Sequence, residues 1–334
     1  ISAVAAGNSC VIKPSEFSPA TGELLKTLVN KYFSPEQLRV VTGDAETAKK
    51  LISLNFNFLF FTGSKKTGKS VYHQAAEHLT PVVMELGGKN ACIVDQTAFS
   101  EQNMKEIVWG KFLNAGQTCI APDTLFVHES IYDKTLSTLK RIIVEFYSDR
   151  PENSKDFGRI VHRGHFERLI KVMSEGNIVH GGSADLDSLF ISPTILTDIN
   201  SNSLSMGEEI FGPILPVVPY KDLRTLLETG WIQHDSLTTY LFSKSSSHKR
   251  LLSQYSNSTI SINKVIHHAA SRSVAFGGNG KSGFGAYHGK AGFDECSYER
   301  TFYKANNYKH IEKKYPPYSE KEFFLMKKLR KLLV

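Results

Sequence analysis

Between residues 9 and 61 the chain alternates short apolar runs with longer amphipathic ones, and this alternation limits the fold more than any other feature. Ser9 to Lys13 reads as a strand that ends at Lys13-Pro14-Ser15-Glu16, where Pro14 disfavours helical backbone at Lys13 and opens a turn. Ala20 to Tyr32 has helical spacing, Leu38 to Val41 is a second strand closed by Gly43, Ala45 to Ser53 a second helix and Phe56 to Phe61 a third strand. The order strand, helix, strand, helix, strand predicts a parallel sheet with crossover helices. Nucleotide binding is the usual use of such a sheet.

The third strand runs into Thr62-Gly63-Ser64-Lys65-Lys66-Thr67-Gly68, after which Lys69 to His78 is helical in pattern. A glycine-bearing turn between strand and helix exposes backbone N–H groups at the positive end of the helix dipole, where a pyrophosphate binds. Gly63 to Ser70 also matches the P-loop pattern GxxxxGK[ST] letter for letter, which would put Lys69 on a phosphate and Ser70 on magnesium. At this point both nucleotide readings stand, beside that of an ordinary turn. Next comes Pro81 to Lys89, an apolar run interrupted by Glu85 and closed by Gly87 and Gly88. A carboxylate among Val, Met and Leu is costly unless paired or protonated. Burial raises its pKa, which suits a general base working near neutrality. In the P-loop reading the same acid would help hold a metal ion, and a solvated strand end is the plain alternative.

Residues 90 to 220 alternate again, with Lys134 to Tyr147 and His165 to Glu175 as amphipathic helices. In this second α/β unit, Asn114-Ala115-Gly116-Gln117-Thr118-Cys119-Ile120-Ala121-Pro122-Asp123 stands between helical Met104 to Phe112 and the strand Thr124 to His128. A lone cysteine on such a connection is placed to react, and Gly116 lets the backbone approach a ligand closely. A buried structural thiol explains this stretch equally well. Gly207 to Pro213 is a compact loop with Glu208, Glu209 and Phe211, suited to a ring-and-ribose ligand or to an exposed turn. Six glycines fall within residues 277 to 289. With Phe276, Phe284 and Tyr287 they suggest an ordered loop lining a site. Thr301 to Tyr303 reads as an edge strand open to a partner subunit.

Composition excludes several classes. The 334 residues can bury a large core in two domains. Cys10, Cys92, Cys119 and Cys296 are widely spread, against a disulfide framework or a zinc site, so a reducing, cytoplasmic compartment is expected. No run of eighteen apolar residues and no signal peptide is visible. Of the net charge of +7, residues 304 to 334 carry +6. The body is neutral and the tail basic, which argues against nucleic acid as a partner.

Taken together, the ordered motifs resemble the aldehyde dehydrogenase superfamily, and within it the class 3 and fatty aldehyde dehydrogenase group, over residues 1 to 305. They are Lys13-Pro14-Ser15-Glu16, Thr62-Gly63-Ser64, Glu85-Leu86-Gly87-Gly88-Lys89, Gly116-Gln117-Thr118-Cys119, Glu209-Ile210-Phe211-Gly212-Pro213 and Phe276-Gly277-Gly278. Ala121-Pro122-Asp123 and Tyr287-His288-Gly289-Lys290 look like the class 3 subgroup. Six motifs in order make the single P-loop match a coincidence. The resemblance implies an α/β fold with an incomplete Rossmann-like parallel-sheet cofactor domain (residues 1–85), an α/β catalytic domain (86–277), an active-site loop with a short β bridging arm (278–305) and a basic amphipathic tail (306–334).

It further implies that Cys119 attacks the aldehyde carbon, that the thiohemiacetal gives a hydride to nicotinamide, and that the thioester left behind needs water. An ordinary thiol, with a pKa of about 8.5, is mostly protonated at neutral pH, so the site must favour the thiolate. Glu85 matches the general base. Glu209 matches the residue holding the nicotinamide ribose, and Phe211 lies against that ribose. Lys13 and Glu16 match residues on the adenosine ribose, and Gly63 with Ser64 the turn under the pyrophosphate. An acid at Glu16 favours NAD, with NADP as the alternative cofactor. Phe276 stands near the aldehyde, where an apolar mouth fits medium or long aliphatic or aromatic substrates. A homodimer is the expected assembly.

Two features extend this picture. The family carries a Trp-Asn-Tyr-Pro-like segment, whose Asn completes the oxyanion hole, just ahead of the helix where Ile1 stands. The sequence is therefore expected to start inside a longer protein, and the competing expectation is a truncated relative that serves only as a binding or dimerising module. Glu322 to Val334 sets Leu325, Leu329, Leu332 and Leu333 on one helix face, with Lys327, Lys328, Arg330 and Lys331 largely off it. Such a segment reads as lying on an anionic membrane surface, here the cytosolic face of an internal membrane, with packing on its own dimer as the alternative.

Overall fold

The computed structural model describes residues 1–305 and 316–333, divided into two units, Ile1–Ser297 and Tyr298–Val334. The expected alternation is present as strands Cys10–Ile12, Leu38–Val40 and Leu59–Gly63, with helices Pro19–Tyr32 and Ala45–Ile52 between them. The three strands do not share one sheet. Cys10–Ile12 pairs in parallel with Leu38–Val40. Leu59–Gly63 pairs in parallel with Val82–Leu86, whose other side takes Gly283–Phe284 antiparallel. Three-residue strands offer few ladder bonds, whereas Val82–Leu86 matches the third strand residue for residue. The helix after Gly63 is Lys65–Glu77, four residues earlier than expected, because Ser64 caps it: its Oγ accepts the Thr67 N–H at 3.2 Å.

The main core surrounds a seven-stranded sheet in the order Thr259–Ile262, Thr238–Phe242, Ala91–Val94, Thr124–His128, Ile214–Tyr220, Thr194–Thr197, Asn177–His180. All neighbours are parallel except the last pair. Strands covered on both faces need apolar residues at consecutive positions rather than alternate ones, and Ala91–Val94 and Thr238–Phe242 are buried throughout. The helices Glu101–Phe112 and Tyr132–Tyr147 pack together and contribute Met104, Ile107, Leu139 and Ile142 to the core, against Ile93 and Phe126 of the sheet.

In the second unit, Glu320–Leu333 is helical and is capped by Ser319, whose N–H and hydroxyl both donate to Glu322 Oε2. Residues 306–315 and Val334 of the expected tail lie outside the described residues. Thr301 to Tyr303 is exposed and forms no strand, since no second strand stands beside it among the described residues of its unit. No helix among the described residues is long and apolar enough to cross a membrane.

Candidate active site

Four loops, 87–90, 116–123, 208–213 and 235–237, each lead into a strand of the large sheet, so all lie at its amino end. Polar side chains tie them together. Asn90 Nδ2 donates to the carbonyls of Cys119 at 2.7 Å and Ala121 at 3.1 Å, while its Oδ1 accepts the Thr238 N–H at 3.0 Å. Asp123 Oδ1 accepts the Ile210 N–H at 2.9 Å, and its carboxylate forms a buried ion pair with Lys89. Tyr240 donates to the Ile120 carbonyl at 2.5 Å.

The Cys119 loop leaves the helix Glu101–Phe112 through three consecutive left-handed residues, Asn114 (φ 53°), Ala115 (φ 52°) and Gly116 (φ 74°). At Gly116 the absence of a side chain is required, because a Cβ there would overlap the Gly212 carbonyl. The Glu209 loop thereby comes against the Cys119 loop. Gln117 fastens the turn from below, donating to the Arg159 carbonyl and accepting the Val161 N–H, both at 2.9 Å.

Cys119 is half-buried, and its thiol is pushed up to about 11 by burial first and then by the negative charges of Glu209 and Glu85. The backbone N–H groups of Cys119 and Ile120 oppose this by turning toward the sulfur. Glu85 is 2% exposed, and neither of its oxygens has a hydrogen-bond partner. Burial raises it to about 7, against a weak pull from the Gly278 backbone. Glu209 is also raised to about 7 by burial, against the charges of Lys89, Lys65 and Arg168 and the backbone of Gly88. Part of Glu209 remains exposed, but its Oε1 is buried without a partner, and its carboxyl occupies the space a side chain at Gly87 would take.

The Glu209 loop is held at its back. Arg168 donates to the Glu209 carbonyl at 3.1 Å and to that of Ile210, and His165 Nε2 lies 2.6 Å from the carbonyl of Phe211, whose φ is 50°. Because Lys65 of the first turn acts on Glu209, the helix N-terminus beside Gly63 and Ser64 opens on the same site. Gly68, Lys69 and Ser70 are themselves helical, and Gly68 is packed against Leu86. No P-loop cradle forms, because the match falls inside a helix.

Lys13 and Glu16 meet at 3.3 Å, with Lys13 also donating to the carbonyls of Pro14 and Gly43 at 2.8 Å each. Glu16 borders a cleft of about 280 Å³ lined also by Pro14, Ser15, Gly22, Thr42 and Gly43. A line of ring contacts runs from there to Phe211, from Phe17 to His162 (4.3 Å), on to His165 (6.0 Å) and then to Phe211 (6.0 Å). Phe276 is buried with Ile120 and Leu237 in a small cluster on which Cys119 and Tyr287 also pack, and it stacks on His268 at 6.0 Å. The sequence reading had no signal for Asn90, Tyr240, Arg168 or His165 as fasteners.

The pattern of the aldehyde dehydrogenase family matches residues 1–302. The chain is 58% identical over 301 residues to the 4,4'-diapolycopene-4,4'-dial dehydrogenase of Cytobacillus firmus, an alignment covering 90% of this chain and 66% of that protein. It is 38% identical to aldehyde dehydrogenase family 3 member A2 of Rattus norvegicus, over 99% of this chain and 70% of that one. Among solved structures, Staphylococcus aureus AldH in a substrate-bound state superposes with a TM-score of 0.90 at 40% identity, covering 98% of this chain and 72% of that chain. The chain thus spans about 66% of the length of the Cytobacillus firmus relative. With a shared fold and a match along nearly its whole folded body, the chain belongs to the aldehyde dehydrogenase family, in its class 3 group.

Proposed function

We propose that the protein oxidises aldehydes to carboxylic acids with a nicotinamide dinucleotide, and that Cys119 is the nucleophile. The observation that carries this reading is one thiol facing two buried carboxyls, Glu85 and Glu209, each with an oxygen that has no partner. A folded protein rarely leaves such atoms unpaired without a use for them. The thiol passes its proton to a carboxylate or to water, and the sulfur adds to the aldehyde carbon. The N–H groups of Cys119 and Ile120 that favour the thiolate also favour the oxyanion formed on that carbon. When bound, the dinucleotide supplies the hydride acceptor that turns this adduct into a thioester. Glu85, as carboxylate, then takes a proton from water. The resulting hydroxide displaces the sulfur, releasing the acid and restoring the thiol.

The residues present fit the cofactor. The unpartnered Oε1 of Glu209, with Phe211 beside it, suits the nicotinamide ribose, and the thirteen-residue helix capped by Ser64 next to Gly63 suits the pyrophosphate. The cleft at Glu16, whose carboxylate is paired with Lys13, suits the adenosine ribose. The acid at Glu16 favours NAD, while Lys13 at 3.3 Å offsets its charge enough for NADP to be accepted as well. One relative, from Mus musculus, is named a dimeric NADP-preferring aldehyde dehydrogenase, which supports both NADP use and a homodimer here. The apolar surroundings of Cys119, namely Phe276, Ile120, Leu237 and Tyr287, suit medium or long aliphatic or aromatic aldehydes. The Cytobacillus firmus relative is named for a dialdehyde.

We assign the division that the motifs imply, with residues 1–85 for cofactor and 86–277 for chemistry. The exposed Phe323, Phe324, Leu325 and Leu329 of the basic helix Glu320–Leu333 support peripheral contact with an anionic membrane. The test is reduced-cofactor formation from hexadecanal and benzaldehyde with NAD or NADP, beside Cys119→Ser. Turnover abolished by the substitution is the expected result, and retention of most of it would remove Cys119 from the role.

A further inference from the structure

Another buried carboxylate has no part in the chemistry above. Glu106 lies on the helix Glu101–Phe112, its side chain 9% exposed. Its Oε1 accepts the Val265 N–H at 3.2 Å and lies 3.2 Å from His267 Nε2, and its Oε2 accepts from Lys264 Nζ at 3.1 Å. All three partners fall within residues 264–267. The Lys264 and His267 side chains are more than half exposed, so their ion pairs contribute little. The buried bond from the Val265 N–H to a charged acceptor is the strong one.

The segment so gripped is strained. Ile266 has φ 64°, an outlier for a β-branched residue, and such a conformation persists only where the surroundings over-determine it. Val265 sits over Gly110, where a Cβ would overlap it, and the His267 ring lies 5.6 Å from that of Trp109. The Tyr240 hydroxyl accepts the Ile266 N–H at 3.3 Å while donating to the carbonyl of Ile120, the residue after the nucleophile. Ile266 and Cys119 pack against the same cluster of Ile120, Leu237 and Phe276.

We propose that Glu106 is a positioning residue that holds Ile266 as a fixed wall beside Cys119 and so sets how bulky an aldehyde reaches the sulfur. The proposal rests on the reading of Cys119 as nucleophile. Without the carboxylate the Val265 N–H loses its acceptor, Ile266 relaxes toward negative φ, and the wall retreats. Slim aldehydes are then no longer favoured over branched ones.

The test is peptide-resolved alkylation of Cys119 in the full chain by iodoacetamide and by the bulkier N-benzylmaleimide, which needs neither cofactor nor turnover. Glu106→Ala is expected to raise the bulky-to-small rate ratio about fivefold or more, a change of roughly 1 kcal/mol in relative barrier. Glu106→Gln keeps an oxygen acceptor for Val265 and is expected to stay near the parent ratio. Ile266→Gly removes the wall directly, with a residue suited to that φ, and is expected to match Glu106→Ala. Cys92, fully buried, stays unlabelled while the core is intact. If Glu106→Ala exposes Cys92, Ile266→Gly decides, and an unchanged ratio there overturns the proposal. A shifted ratio in a chain that oxidises no aldehyde would sink the reaction reading and leave the wall assignment standing. Where aldehydes are oxidised, the substitutions are expected to lower KM for branched substrates relative to linear ones.

Discussion

At the scale of single residues, Glu85 couples the proposed chemistry to stability. Its carboxyl is pushed from 4.5 to about 7 by burial, so in that interval the folded protein holds a proton the unfolded chain has already released. The folded state then binds more protons, and stability falls as pH rises from about 4.5 to about 7, the reverse of an ion-paired carboxylate. Glu85→Gln has nearly the same shape and no charge. It is expected to raise the urea midpoint at about pH 8 by up to roughly 3 kcal/mol of stability and to change little at about pH 4. The same variant is expected to stall with the acyl group on Cys119, seen as added intact mass, and unchanged turnover would move the base role to Glu209. Cys119 and Glu85 were legible in the sequence because each breaks its local pattern, a thiol among small polar residues and an acid in an apolar run. Asn90 and Tyr240 break none. Their importance arises from backbone groups brought near only by folding, such as the Thr238 N–H that donates to Asn90 Oδ1 across 148 positions.

At the scale of elements, the position of Cys119 depends on a left-handed turn with no spare room. Gly116 combines φ 74° with a backbone carbonyl where its Cβ would go. Gly116→Ala is therefore expected to cost roughly 2–4 kcal/mol, with the Cys119 alkylation rate changing even where the fold survives. A wild-type urea midpoint and rate would mean that the two loops separate without penalty. Element types and order were readable from periodicity and from breakers such as Pro14 and Gly43, whereas the division of the first three strands between two sheets was not. Pairing is chosen by length and register in space, and no local residue reports it. The P-loop coincidence has the same origin: a string of letters does not say that its last three residues lie inside a capped helix.

At the scale of the whole molecule, the charge map separates a neutral body from a basic terminal helix. Lys327 and Lys328 stand over the rings of Phe323 and Phe324 at 4.6 and 5.7 Å, so cations and aromatics sit side by side on that helix. Removing residues 320–334 is expected to abolish most sedimentation with phosphatidylserine vesicles and to leave binding to neutral vesicles unchanged. Equal sedimentation of both forms would assign the helix to contacts within the protein.

The loops that carry Cys119 and Glu209 each continue, within a few residues, into a strand sealed inside the largest sheet. Neither group can drift from its post while those strands stay paired. On warming, loss of the proposed aldehyde oxidation and collapse of the interior should therefore arrive at a single temperature, with no window in which a well-folded but idle protein accumulates.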